Sequence, residues 1–193
     1  MSTTSLVAEF LVIGIIPFLT IVLATLSILG IYDLSFLSQA KDFSVVLAVG
    51  VTLLVYVLGT LTQRLGQLLN RNSLRFLIRL FGFDRFLEPL TDSNEEWLAN
   101  YVLVLQLGSE QLVNRIQYGE SLARIFKATM ITTPLLAITL AMWLSVAVGW
   151  KGVAIAVTIC AIITVTSLAS YLLQRRNHRE LVLTASKLIK RGQ

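Results

Sequence analysis

Residues Ala128–Gln174 read ATMITTPLLAITLAMWLSVAVGWKGVAIAVTICAIITVTSLASYLLQ, and the whole stretch carries a single charge, Lys151. On either side of that lysine, Ala128–Trp150 and Gly152–Gln174 are uncharged. Each exceeds the roughly 20 apolar residues that a helix rising ~1.5 Å per residue needs to cross a hydrocarbon core about 30 Å thick. Between them, Val148-Gly149-Trp150-Lys151-Gly152-Val153 predicts a tight helical hairpin. Two glycines permit the turn, and Trp150 and Lys151 suit the membrane interface.

Working outward, two further uncharged runs precede this hairpin, Phe10–Tyr32 and Phe43–Gln63, joined by a short loop around Asp33–Asp42. Lipid offers no partner to a backbone amide, so only helices or closed barrels span it. The runs lack the apolar/polar alternation of barrel strands. The expected fold is therefore all-α: a polytopic membrane protein with four transmembrane helices and a helical cytoplasmic insert between the second and third. Met1–Ala8 hold no Lys or Arg, so the first run is not expected to be a signal peptide. Pro17 is expected to kink the first helix or to mark its first fully inserted turn.

Composition agrees. Of 193 residues, 55% are hydrophobic and 14% charged, against roughly 25% charged in a soluble domain, and mean hydropathy is +0.77. A soluble globule, a disordered chain and a nucleic-acid-binding module are all disfavoured, so no nucleic acid is expected as a partner. A lone cysteine, Cys160, cannot close an internal disulfide, and a lone histidine, His178, cannot build a histidine metal cluster. No metal or other cofactor is expected.

The basic residues set an orientation. Arg64, Arg71, Arg75, Arg79, Arg85, Arg115, Arg124 and Lys127 lie between the second and third runs, and Arg175, Arg176, Arg179, Lys187, Lys190 and Arg191 follow the fourth. The two short loops on the other side hold only Lys41 and Lys151. The positive-inside rule then places both termini and the middle segment in the cytoplasm of a multi-pass protein of the cell inner (plasma) membrane. The expected parts are a transmembrane hairpin over 1–63, with spans of about 10–32 and 43–63. A cytoplasmic helical segment follows over 64–127, then a second hairpin over 128–174, with spans of about 128–150 and 152–174, and a basic helical tail over 175–193.

Within the insert, Leu65, Leu68 and Leu69 continue the second span. Leu74–Leu87 is very apolar for a cytoplasmic segment, yet carries Arg75, Arg79 and Arg85. That pattern suits a helix at the headgroup boundary, with guanidinium groups at phosphate level; burial in a small cytoplasmic bundle is the alternative. Glu88-Pro89 ends it. Ser93 and Glu96 form a capping-box pattern before Leu98, Tyr101, Val102 and Leu105, which recur at helical spacing. Gly108-Ser109 predicts a break. Leu112, Ile116, Gly119, Leu122, Ala123 and Phe126 then form one stripe running without interruption into the third span. A single long helix projecting into the cytoplasm follows. Leu181, Ala185 and Leu188 make a stripe on the tail that could pack beside it.

The search for chemistry returns little. Asp, Glu, Lys, Arg and His are confined to the ends of the spans, with Glu9 just before the first; proton relays and ion sites need such groups inside the membrane. No His-Glu-x-x-His helix, phosphate-binding loop or dinucleotide fingerprint occurs. Glu95 and Glu96 suit a helix N-terminus better than acid/base work, and Cys160 reads as an apolar filler. The run Arg175-Arg176-Asn177-His178-Arg179 suits the cytoplasmic interface, and Arg175, Arg176 and Arg179 are candidates for lipid headgroup contact alongside Arg75, Arg79 and Arg85. In the fourth span, Ala156, Cys160, Thr164 and Ser167 form a small-residue stripe continued by Tyr171, fit for helix–helix packing within the chain, at a subunit contact, or along a pore. The expected function is non-enzymatic: a homo-oligomer in contact with the bilayer and anionic headgroups, serving as a scaffold or as a pore-forming, channel-like component. The alternative is a small transporter or an enzyme with its site in the cytoplasmic helices.

Overall fold

The computed structural model describes residues 3–33, 44–68 and 94–192. The proposed surface helix Leu74–Leu87 and Ser93 of the capping box lie outside them. The described residues form five helices and no strand: α1 (Thr3–Ile28), α2 (Ser44–Leu68), α3 (Asn94–Leu107), α4 (Glu110–Ala147) and α5 (Trp150–Gly192). Four of them, all but α3, are long and apolar enough to cross a membrane. The chain is an all-helical, multi-pass membrane protein.

Two compact units share α4 and α5. One is Leu69–Phe126 with Leu168–Gln193; the other is Ser2–Leu68 with Lys127–Ser167. The 38 residues of α4 and 43 of α5 correspond to about 57 and 65 Å of helix at ~1.5 Å per residue, roughly twice a hydrocarbon core. Each helix thus has more length than one crossing needs. The break between α3 and α4 falls at Gly108 and Ser109, as their residue types predict. Ser109 Oγ accepts from the Leu112 amide at 3.3 Å, capping the first turn of α4.

In the membrane unit, α1 and α2 cross antiparallel at glycines. A side chain at Gly14 would collide with the Val55 carbonyl, and one at Gly59 with the backbone of Phe10. Beside that crossing Phe10 and Tyr56 meet edge to face, centroids 5.5 Å apart at 83°, and Ile13 and Val55 are buried. With no Cβ between them the backbones approach closely, which maximises dispersion where lipid removes the hydrophobic drive.

Helix ends differ slightly from the sequence expectation. The first uncharged run continues to Tyr32, but α1 stops at Ile28. Gly30 adopts φ 68°, its amide bonds Ser27 O at 3.3 Å and the Ile31 amide bonds Leu26 O at 2.9 Å. This is a Schellman closure, and it needs a residue free to adopt the left-handed region. The freed Ile31 carbonyl accepts from Trp143 Nε1 on α4 at 3.0 Å. At the second hairpin Gly149 alone makes the turn, with φ 86°. Gly152, expected to share it, lies inside α5. Helix α1 continues through Pro17 and α4 through Pro134.

Several threonine hydroxyls of the spans are spent locally. Thr132, Thr133, Thr158, Thr164 and Thr166 each donate to the carbonyl four residues earlier, at 2.7–2.9 Å. A threonine bonded in this way brings no unsatisfied donor into lipid.

Candidate functional site

In the first unit, α3, the first half of α4 and the end of α5 close one core. Val104, Ile116, Val182 and Ala185 are buried there, with Tyr101, Leu112, Leu181 and Ile189 against them. The apolar stripe on α4 is thereby covered by the chain's own tail and by α3. A polar tie joins the same helices: Lys190 Nζ on α5 donates to Asn100 Oδ1 on α3 at 3.0 Å, and Asn100 is itself buried.

His178 is the focus of this unit. It sits four residues before Val182 and seven before Ala185, so the helical period turns it onto the apolar face of α5. It is only 6% exposed. Trp97 and Tyr101 of α3, one turn apart and stacked at 5.1 Å and 16°, cover the imidazole with centroids at 6.2 and 6.1 Å. Gly119 of α4 lies beside it: a Cβ there would be in ordinary contact with His178 Nδ1 at 3.6 Å and would press on the end of the Gln174 side chain, Nε2 at 2.8 Å. Glu120 Oε1 approaches Nε2 to 3.7 Å, too far for a hydrogen bond. Both ring nitrogens are buried without a hydrogen-bond partner among the described residues.

The electrostatics follow from this burial. Desolvation pushes the His178 pKa below 6.5; Glu120 opposes the shift and Arg175 adds to it. Tyr101 is pushed up to about 12, first by burial and then by donating its phenolic proton to Glu120, whose charge adds to the rise. The Glu120 carboxylate thus faces two groups at once. The arrangement holds a neutral imidazole beside a carboxylate, so it can take up or release a proton.

The residues singled out from sequence are distributed differently. Arg175 and Arg176 are exposed and Arg179 is half-buried. Arg175 Nε donates to Tyr171 Oη at 3.3 Å and its guanidinium lies 5.8 Å from that ring's centroid; Arg176 pairs with Glu180 at 2.9 Å. Arg75, Arg79 and Arg85 lie outside the described residues. In the membrane unit Ala156, Cys160 and Ser167 are buried and Thr164 is half-buried. Glu9, expected just before the first span, lies inside α1 and is 4% exposed.

Sequence reasoning passed over His178 because three arginines surround it in the chain. The available signal was its phase: it shares the stripe of Val182 and Ala185, whereas Arg176 and Arg179 do not. Among the described residues no group of three or more His, Cys, Asp or Glu is placed to hold a metal. No protein-family model, curated protein or solved structure matches the chain.

Proposed function

We propose that this is a non-enzymatic integral membrane protein that self-assembles through α5 and serves as a membrane scaffold. One observation carries the reading. Helix α5 has two small-residue stripes, and only one is covered by the chain itself. Ala156 and Cys160 face inward, while Ala154, Thr158 and Ala161, at i, i+4 and i+7, are exposed between Ile155, Ile159 and Ile162. Small residues four apart let two helix backbones approach closely in lipid. Thr158 already bonds its own helix at 2.8 Å, so it can pack against a neighbour at no hydrogen-bonding cost. The same local bonding of hydroxyls favours a scaffold over a water-filled pore, although a ring of copies could also enclose a channel.

The excess of Lys and Arg in the middle segment and tail places both on the cytoplasmic side of the plasma membrane. Arg175 and Arg176 then stand at headgroup level, suited to anionic lipid.

Native mass measurement in nanodiscs tests the assembly. The expected result is an oligomer that Ala161→Leu shifts toward monomer without loss of helix content. A monomer at all concentrations for the unmodified chain would remove both the scaffold and the pore readings. A second reading, a transporter or enzyme acting in the cytoplasmic helices, draws support from Glu120 beside His178; proton-coupled flux in liposomes that is lost in Glu120→Gln would favour it.

A further inference from the structure

The His178 environment has features of a switch. A buried imidazole has both nitrogens unpaired among the described residues, although a buried polar group without a partner costs stability. Water is kept from it on one side by Trp97 and Tyr101 of α3. A carboxylate, Glu120, stands 3.7 Å away and already accepts from Tyr101. We propose that Trp97, Glu120 and His178 form a proton-operated latch beside Tyr101: the first turn of α3, which carries Trp97, stays docked while the imidazole is neutral, and lets go when it takes a proton.

The charges around the site set the direction. From α4, Glu120 favours the imidazolium, and Arg124 acts on the same cluster through Tyr101. From α3, Tyr101 is a neutral donor whose proton is already committed. From α5 itself, Arg175 disfavours a second positive charge, and Arg176 is paired with Glu180. A proton on His178 therefore creates a charge with little access to water, beside a carboxylate, Glu120, that already accepts from Tyr101. Parting of the Trp97 ring from the imidazole admits water to the imidazolium. From Asn100 onward α3 is held separately, by Asn100 on Lys190 and by Tyr101 and Val104 in the core. Release is thus local rather than global.

The sign can be worked out. The docked state holds the imidazole below its ordinary 6.5, so the undocked state binds more protons in the interval between the two values. Docking is at full strength above 6.5 and weakens as pH falls through that interval.

The experiment uses the full chain in nanodiscs. The single histidine gives one imidazole resonance to titrate. Amide hydrogen exchange is compared at about pH 7.5 and about pH 5.5 after correction for intrinsic rates. The expected result is an imidazole titrating below 6.5 and exchange in the first turn of α3 faster by up to about tenfold at the lower pH, the limit set by one proton taken up one unit below 6.5. Exchange in the stretch of α4 around Ile116 stays constant, and His178→Gln shows no pH response in α3. Exchange in α3 that ignores pH, or that rises equally in His178→Gln, overturns the latch. Should that variant fail to fold, Glu120→Gln decides. Removing the carboxylate moves the imidazole titration to lower pH, and a titration that stays put overturns the proposal.

Discussion

Gly14 of α1 and Gly59 of α2 each lie against the other helix's backbone, Gly14 on the Val55 carbonyl and Gly59 on Phe10. Any side chain at either position must push the helices apart. Gly14→Val or Gly59→Val is expected to destabilise the hairpin by about 1–3 kcal/mol, the usual cost of overpacking. Gly50, with open space around it, serves as the control: Gly50→Ala should be neutral or slightly stabilising. Thermal unfolding in mild detergent, followed by circular dichroism, makes the comparison.

The module of α3, the first half of α4 and the end of α5 rests on a small core, so a single truncation should be costly. Ile116 is fully buried between α3 and the tail of α5. Ile116→Ala is expected to cost about 2–5 kcal/mol, while Tyr118→Ala, two residues away and exposed, should change stability by no more than about 0.5 kcal/mol. Denaturant unfolding of the two variants in the full chain checks this.

Most of this architecture is legible in the sequence, because lipid imposes one rule on every residue of a span. An uncharged run long enough to cross must be a helix, and the four runs, the break at Gly108-Ser109 and the continuation of α4 into the module all follow from charge spacing and breakers. What is not legible is which small residues meet. Gly14 and Gly59 are 45 positions apart, and nothing in either neighbourhood names the other. The early stop of α1 at Gly30 was hidden because Leu29 and Ile31 keep the run apolar past the turn. His178 was masked by neighbouring arginines, of which Arg176 and Arg179 face elsewhere on the helix.

Orientation provides a separate check. A cysteine introduced at Asn94 or Gln193 in a Cys160→Ala background should react with an impermeant thiol reagent only from the cytoplasmic side, and one at Gln39 only from outside. Labelling at Asn94 from outside would reverse the assignment drawn from the positive-inside rule.

The central claim, self-association along the outward face of α5, is tested most directly by cysteine cross-linking in native membranes. In the Cys160→Ala background, Thr158→Cys and Ala161→Cys lie on the exposed stripe, while Ala156→Cys is buried within its own chain. On mild oxidation the first two are expected to yield a disulfide-linked dimer and the third to remain monomeric. Absence of dimer from both exposed positions, or equal dimer from Ala156→Cys, would contradict the account.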